Sequence, residues 1–213
     1  MEPLLEVGPL SCVERERPLY HGVYLRLFPG DFVHLKGPSG SGKTTLLRQI
    51  VGLEPSQARR FLAGKSYSLS QIADFRRRCL YLAPEAPMVE GDLARNLFFP
   101  FRFRKNRTKK HKDPEKILKS LGLNFSLKTR VANLSTGERK RLALARALIF
   151  DPEIILADEP FSGLDEENFK KAFKLLYEFS QREKKAVLCV SHGKLPFCTR
   201  ALTLCEGKLK EGR

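Results

Sequence analysis

The sequence predicts an α/β fold, a mainly parallel sheet flanked by helices, with an antiparallel β part and a helical subdomain. Three observations carry this. A strand-like run, Phe32–Lys36, leads into the glycine-rich stretch Gly37-Pro-Ser-Gly-Ser-Gly-Lys-Thr44 and then into a helical pattern. The last third alternates short apolar runs with amphipathic ones, as βαβ chains do. Between these parts lies a section whose start and stop signals are helical.

In chain order, Val23–Phe28, the Pro29-Gly30 turn and Phe32–Lys36 read as adjacent strands around a turn. After Gly42 the pattern Thr44–Val51 suits a helix that closes at Gly52. Asp113-Pro114-Glu115 is a helix start, with an acidic cap and proline in the first turn, and Gly122 is its stop. From Ser135 to Phe150 the apolar positions Leu142, Ala145, Leu148 and Ile149 recur at helical spacing. Ile154–Ala157 is a short buried strand. A helix from about Glu166 presents Phe169, Phe173 and Leu176 on one face. Val187–Val190 is a second buried strand, and Ala201–Cys205 with Glu206-Gly207-Lys208-Leu209 closes as a hairpin. We therefore expect one domain over residues 1–213, with 1–85 and 151–213 as its core and 86–150 as a helical subdomain.

Composition narrows the function. A chain of 213 residues has ample core to fold unaided. It contains no apolar run of about 18 residues, so no membrane-spanning helix is expected. Its opening, Met-Glu-Pro-Leu-Leu-Glu, lacks the basic end of a signal peptide. Five cysteines without CxxC spacing suggest reduced thiols rather than a disulfide frame or a zinc site. The charge stands out: 39 Lys and Arg against 24 Asp and Glu give +15. Such a balance points to nucleic acid, an anionic membrane surface or an acidic partner. The densest basic run, Arg102–Lys112, reads equally as a solvated, mobile connection and as a contact for lipid head groups.

The chemistry is concentrated in a few motifs. Gly37, Gly40 and Gly42 let backbone N–H groups turn toward phosphates, assisted by the positive end of the following helix. Pro38, Ser39, Ser41 and Thr45 complete the loop. Lys43 is placed to bridge β- and γ-phosphates and Thr44 to ligate Mg2+, which makes the fold a P-loop NTPase. Asp158-Glu159 ends an apolar strand, where ligands approach parallel sheets. Asp158 suits the metal, and Glu159 suits orienting and deprotonating a water. Ser135 and Gly137 stand at a helix start, able to offer a hydroxyl and an N–H to phosphate. Ser135 and Glu138 also fit a capping box, a local role that does not conflict.

Taken together, these motifs resemble the ATP-binding-cassette (ABC) ATPases. Leu134-Ser-Thr-Gly-Glu138 is similar to that family's signature, Ser162-Gly-Leu-Asp165 to its D-loop, and His192 to its switch histidine, which contacts the γ-phosphate. The resemblance spans nearly the whole chain and looks like a stand-alone nucleotide-binding subunit of a transporter. It implies ATP and Mg2+ as cofactors and a second copy whose Ser135 and Gly137 complete each site in trans, with Asp165 at the subunit contact. It implies catalytic roles for Glu159, His192 and Lys43, and a separate membrane permease that would hold the chain on the cytoplasmic face. The segment Pro87–Pro100 is similar to bacterial subunits assigned to iron or other metal export.

Three positions depart from the family pattern. Glu85 stands where glutamine is usual, as a metal ligand carrying extra negative charge. Thr136 replaces the first signature glycine. Cys12 falls where the adenine-stacking aromatic is usual, with Tyr20 or Tyr24 as substitutes, so low adenine selectivity is expected. A nucleic-acid ATPase is the competing class, but this chain has neither a second cassette nor a long coiled-coil insertion. A weakly hydrolysing ATP clamp is the other, and Glu159 argues against it.

Overall fold

The computed structural model describes residues 1–14 and 17–212. The chain opens with β1 (Leu5–Glu14), β2 (Arg17–Leu27) and β3 (Phe32–Lys36), followed by α1 (Lys43–Ile50), β4 (Arg59–Leu62) and β5 (Lys65–Tyr67). Next come α2 (Ile72–Arg78), β6 (Cys79–Leu82), α3 (Leu93–Leu97), α4 (Pro114–Ser120) and α5 (Thr136–Phe150). The last section holds β7 (Ile154–Asp158), α6 (Glu166–Ser180), β8 (Ala186–Val190), β9 (Arg200–Cys205) and β10 (Lys208–Gly212).

Two sheets form. One is antiparallel, in the order β2-β1-β4-β5; the other runs β10-β9-β3-β8-β7-β6 and is parallel except for the terminal β9–β10 hairpin. All five residues of β7 and all five of β8 are buried, as parallel strands covered on both faces require. Alternation then divides the core. Val33, Leu35, Ile154, Leu156, Leu188 and Val190 pack toward α1 and the antiparallel sheet. Phe32, Ile155, Ala157, Val187 and Cys189 pack toward α5 and α6. A slip of one residue in any of these strands would exchange the two faces.

Two sequence expectations change. β2 and β3 follow one another around the Pro29-Gly30 turn but do not pair: β2 pairs with β1, and β3 lies between β8 and β9. The turn looks like a hairpin locally, but the partners of β3 come from the far end of the chain. The basic run is also not a free connection. Asn106 is buried; it accepts from Arg77 Nε at 2.6 Å and donates to Pro100 O at 2.7 Å, and Lys105 pairs with Asp74 at 2.8 Å.

The helical expectations have clear local causes. α4 starts at Pro114 beneath the Asp113 carboxylate, which accepts from the N–H groups of Glu115 (3.0 Å) and Lys116 (3.3 Å). Gly122 follows it with φ 66°. Between residues 86 and 150 the described backbone holds helices and turns, with a single isolated bridge, Asp92–Arg130.

A buried arginine joins the two sheets' layers. Arg60 on β4 is 2% exposed and donates to Ile50 O (2.9 Å), Gln49 O (2.7 Å) and Ala58 O (3.0 Å). The first two are C-terminal carbonyls of α1, which have no partner within the helix. Arg60→Ala is expected to lower unfolding free energy by about 2–3 kcal/mol, since charged donors leave and Ile50 O loses its side-chain donor, while Gln49 O keeps the Gly52 N–H at 3.0 Å. Arg59→Ala, at an exposed neighbour, should shift it by less than about 0.5 kcal/mol. Chemical denaturation of both variants checks this.

Candidate active site

The C-terminal ends of β3, β7 and β8 bring the motifs to one edge of the sheet. β3 delivers the loop 37–42, β7 ends in Asp158 ahead of Glu159, and β8 leads to Ser191 and His192. A cavity of about 240 Å3 opens there, with Ser39, Gly40, Lys43, Thr44, Glu159 and His192 in its wall. Gly42 and Thr45 line it as well.

The glycines of the loop answer different needs. Gly40 and Gly42 hold φ 73° and 90°, a left-handed backbone that other residues adopt with strain. Gly37 is required by packing: a Cβ there would stand 2.3 Å from Leu204 O on β9. Gly37, Pro38 and Ser41 do not line the cavity, but the Gly37 and Pro38 carbonyls each accept from Lys43 Nζ at 2.9 Å. Ser41 Oγ is buried without a partner, an orphan polar atom inside the loop.

Charge in the site is strained by burial. Asp158 is 1% exposed, and desolvation pushes its carboxyl above the usual carboxylate range, against hydrogen bonds from Tyr81 and Thr44. The Tyr81 hydroxyl donates to Asp158 Oδ2 at 2.9 Å. Burial also draws the Lys43 ammonium below its ordinary value, offset by Glu159 and Asp158. Glu159 sits at φ 48°, uncommon for a non-glycine residue, with its N–H donating to Val190 O at 3.0 Å. Its Oε1 lies 2.8 Å from His192 Nε2.

Some expected residues stand apart from this cavity. Glu85 is exposed in the turn after β6 and is not in the cavity wall. Tyr20 is 1% exposed and donates to Gln49 Oε1 at 3.0 Å, while Tyr24 is exposed beside Gly8. Neither lines the cavity; Leu19 and Glu14 do. The substitution of Tyr20 or Tyr24 for a stacking aromatic is thus corrected: strand alternation turns Tyr20 into the core and leaves Leu19 facing the loop. Asp165 caps α6, accepting from Asn168 N at 2.9 Å, and these bonds hold its carboxyl below the usual range.

Sequence reasoning missed three groups. Tyr81 was hidden because β6 is short and carries no motif. Lys140 on α5 donates to Ser162 O at 2.9 Å, tying the signature helix to the 162–165 turn. His34, on β3, is buried and its Nε2 lies 3.1 Å from Ser191 O, just ahead of His192. Burial draws its imidazole below the ordinary value. Only strand pairing places it there, so no local signal marks it.

Ser135 and Gly137 are outside the cavity wall. Ser135 caps α5: Glu138 N donates to its Oγ at 3.3 Å, and Glu138 Oε2 accepts from Ser135 N at 2.8 Å. Nothing in this copy demands glycine at 137, since an added Cβ would meet Leu164 only at ordinary contact, 3.6 Å. Gly137→Ala is therefore expected to leave stability unchanged or raise it by up to about 1 kcal/mol. Ser135→Ala should lower it by about 1 kcal/mol through the lost cap. Thermal or chemical unfolding of the two variants reads both signs.

Comparison with known proteins agrees with this geometry. The profile of the family described as ABC transporter matches residues 20–162. The chain is 32% identical to the aliphatic sulfonates import ATP-binding protein SsuB 1 of Paracoccus denitrificans (strain Pd 1222), over 99% of this chain and 83% of that one. It is 30% identical to the probable iron export ATP-binding protein FetA of Escherichia coli (strain K12), over 99% of this chain and 96% of that one. Among solved structures, the ATP-binding cassette MJ0796, in a dimeric post-hydrolysis state bound to ADP and Pi, superposes with a TM-score of 0.83. That match has 25% identity and covers 98% of each chain. With the loop, the acidic strand end and the capped signature helix arranged as described, the chain belongs to the ABC transporter family, as one of its ATP-binding ATPase subunits.

Proposed function

We propose that two copies of this chain close around two ATP molecules and that this closure drives a separate membrane permease. One observation carries the reading. Ser135, exposed, and Gly137, half-buried, form a helix N-terminus outside the cavity that holds Lys43, Thr44, Glu159 and His192. A phosphate held in that cavity meets one wall only; a second copy supplies the other. The dimeric state of the structurally similar MJ0796 supports this arrangement.

The residues present fit a magnesium nucleotide. Asp158 is a buried carboxylate whose charge is penalised by desolvation, which a cation would relieve, and Ser41 Oγ lacks a partner inside the loop. Thr44 and Asp158 would hold the metal, with Glu85 approaching on closure. When bound, Mg2+ neutralises phosphate charge as the γ-phosphoryl departs. The backbone from Gly37 to Thr45, including Pro38, Ser39, Gly40, Ser41 and Gly42, receives the phosphates. Lys43 keeps one ammonium proton beyond its two carbonyl bonds for the β- and γ-phosphates. Glu159 takes a proton from the attacking water as the bond between the γ-phosphorus and the ADP oxygen breaks. His192 orients that carboxylate and reaches the γ-phosphate. Asp165 would meet the second copy near the 162–165 turn.

We further assign residues 1–213 to one ATPase domain, with 1–85 and 151–213 as its core and 86–150 as the signature subdomain that meets the permease. No helix among the described residues is long and apolar enough to cross a membrane; in this reading the membrane path is supplied by the permease. The chain would then lie on the cytoplasmic face, where a net charge of +15 favours an anionic lipid surface. Similarity to FetA over nearly the whole chain supports a metal ion as exported cargo.

Two measurements test the proposal. Glu159→Gln should lower ATP turnover by at least about 100-fold and shift the protein to an ATP-dependent dimer on size exclusion; hydrolysis at the parental rate would remove Glu159 from its role. Leu19 and Glu14 flank the loop in place of an aromatic, so ATP and GTP should bind within about threefold of each other, lacking roughly 1 kcal/mol of stacking. A strong preference for ATP in competition binding would contradict this.

A further inference from the structure

A second charged cleft lies at the opposite end of the sheet from the phosphate loop. It measures about 660 Å3, and Lys65, Arg77, Arg78, Lys105 and Lys109 line it, with Asp74 as the acid in its wall. Arg78 immediately precedes β6 and pairs with Glu153, which precedes β7. The cleft therefore sits at the N-terminal edge of the parallel strands, whereas Thr44, Asp158 and His192 occupy the C-terminal edge.

The charges inside it do not balance. Asp74 serves Lys105 at 2.8 Å and Arg77 at 3.6 Å, and Glu153 takes Arg78 through two bonds of 2.5 and 2.6 Å. Lys65 and Lys109 have no carboxylate partner among the described residues. Lys109 is half-buried, its Nζ bonding only Asp151 O at 3.2 Å and lying 3.9 Å from the centre of the Phe150 ring. The nearby Asp151 carboxylate is already shared by Lys112, Arg182 and Lys185. Burial, with Lys185 and Arg77 close by, pushes the Lys109 ammonium down to about 8. A half-buried ammonium with two unused protons, whose neighbouring carboxylates Asp151 and Glu153 are already committed to other cations, is costly, and an anion entering the cleft lowers that cost.

We propose that this cleft binds a phosphate-bearing anion, held by Lys65 and Lys109 with Arg77 beside them. The concavity and the convergence of cations from β5, α2 and the docked basic run favour a compact, multiply charged group over an extended acidic chain. Phosphate offers several acceptor oxygens and more than one charge, which suits two lysines and an arginine meeting from different elements. The same chemistry is presented by a free polyphosphate and by a lipid head group. None of these residues takes part in the nucleotide site, so the inference stands apart from the transport reading.

The test has two arms. Inorganic triphosphate is titrated calorimetrically into protein whose nucleotide site is saturated with ADP. Separately, the protein is co-sedimented with phosphatidylcholine vesicles with and without phosphatidic acid. The variant Lys65→Ala/Lys109→Met keeps the aliphatic stem over Phe150. It should weaken binding by at least about tenfold, as loss of two charge-assisted contacts implies, with ADP affinity and melting unchanged. Lys170→Ala/Lys174→Ala, an equal charge change on α6, should leave binding intact. Loss in the titration identifies a free phosphate ligand, and loss confined to vesicles identifies a lipid head group. Absence of binding in both arms, or equal weakening by the two double variants, overturns the proposal.

Discussion

The parallel pairing of β3 with β8 is the constraint from which the rest of the architecture follows. Phe32 lies opposite Val187 and Leu35 opposite Val190, across more than half of the chain. β7 then pairs with β8, Asp158 opposite Val190. Because these strands run the same way, three loops from distant parts of the sequence emerge at one edge. The phosphate loop, Asp158-Glu159 and His192 meet for that reason alone. The His34–Ser191 bond, 3.1 Å, fastens the end of this pairing beside His192.

Electrostatic strain at that edge has the same origin. Burial removes water from Asp158 and Lys43, so both are displaced toward their neutral forms while lying near one another. Tyr81 holds Asp158 from the neighbouring strand. Glu159 and His192, more exposed, pair directly. Such a site is preorganised for a ligand that brings charge of both signs, as a metal–phosphate complex does. The opposite edge of the same sheet gathers cations without enough acids, a distinct environment built from the basic run docked against α2 and α5.

Much of the fold was legible because its signals are local. Phe32–Lys36 coincides with β3, the glycine-rich loop precedes α1, and Asp113-Pro114 starts α4. The helix read from Ser135 to Phe150 and the strand Val187–Val190 also match within a residue or so. What escaped was non-local. The separation of β2 and β3 into two sheets depends on β9 and β8, and the docking of Arg102–Lys112 depends on Arg77 through Asn106. Short elements such as β6 and α2 carry too few residues for periodicity to register, so Tyr81 and Arg77 went unnoticed.

The sequence by itself determined the phosphate loop, the acidic strand end and the capped signature helix, since each rests on residues adjacent in the chain. It also determined that Cys12 departs from the family's aromatic. Only the tertiary structure decided which side chain takes the vacated wall, because alternation along β2 buries Tyr20 and turns Leu19 to the cavity. Only it decided that Lys109 is half-buried with no carboxylate ion pair among the described residues. Those outcomes depend on which surfaces face each other across the sheet, and that is fixed by pairings between segments far apart in sequence.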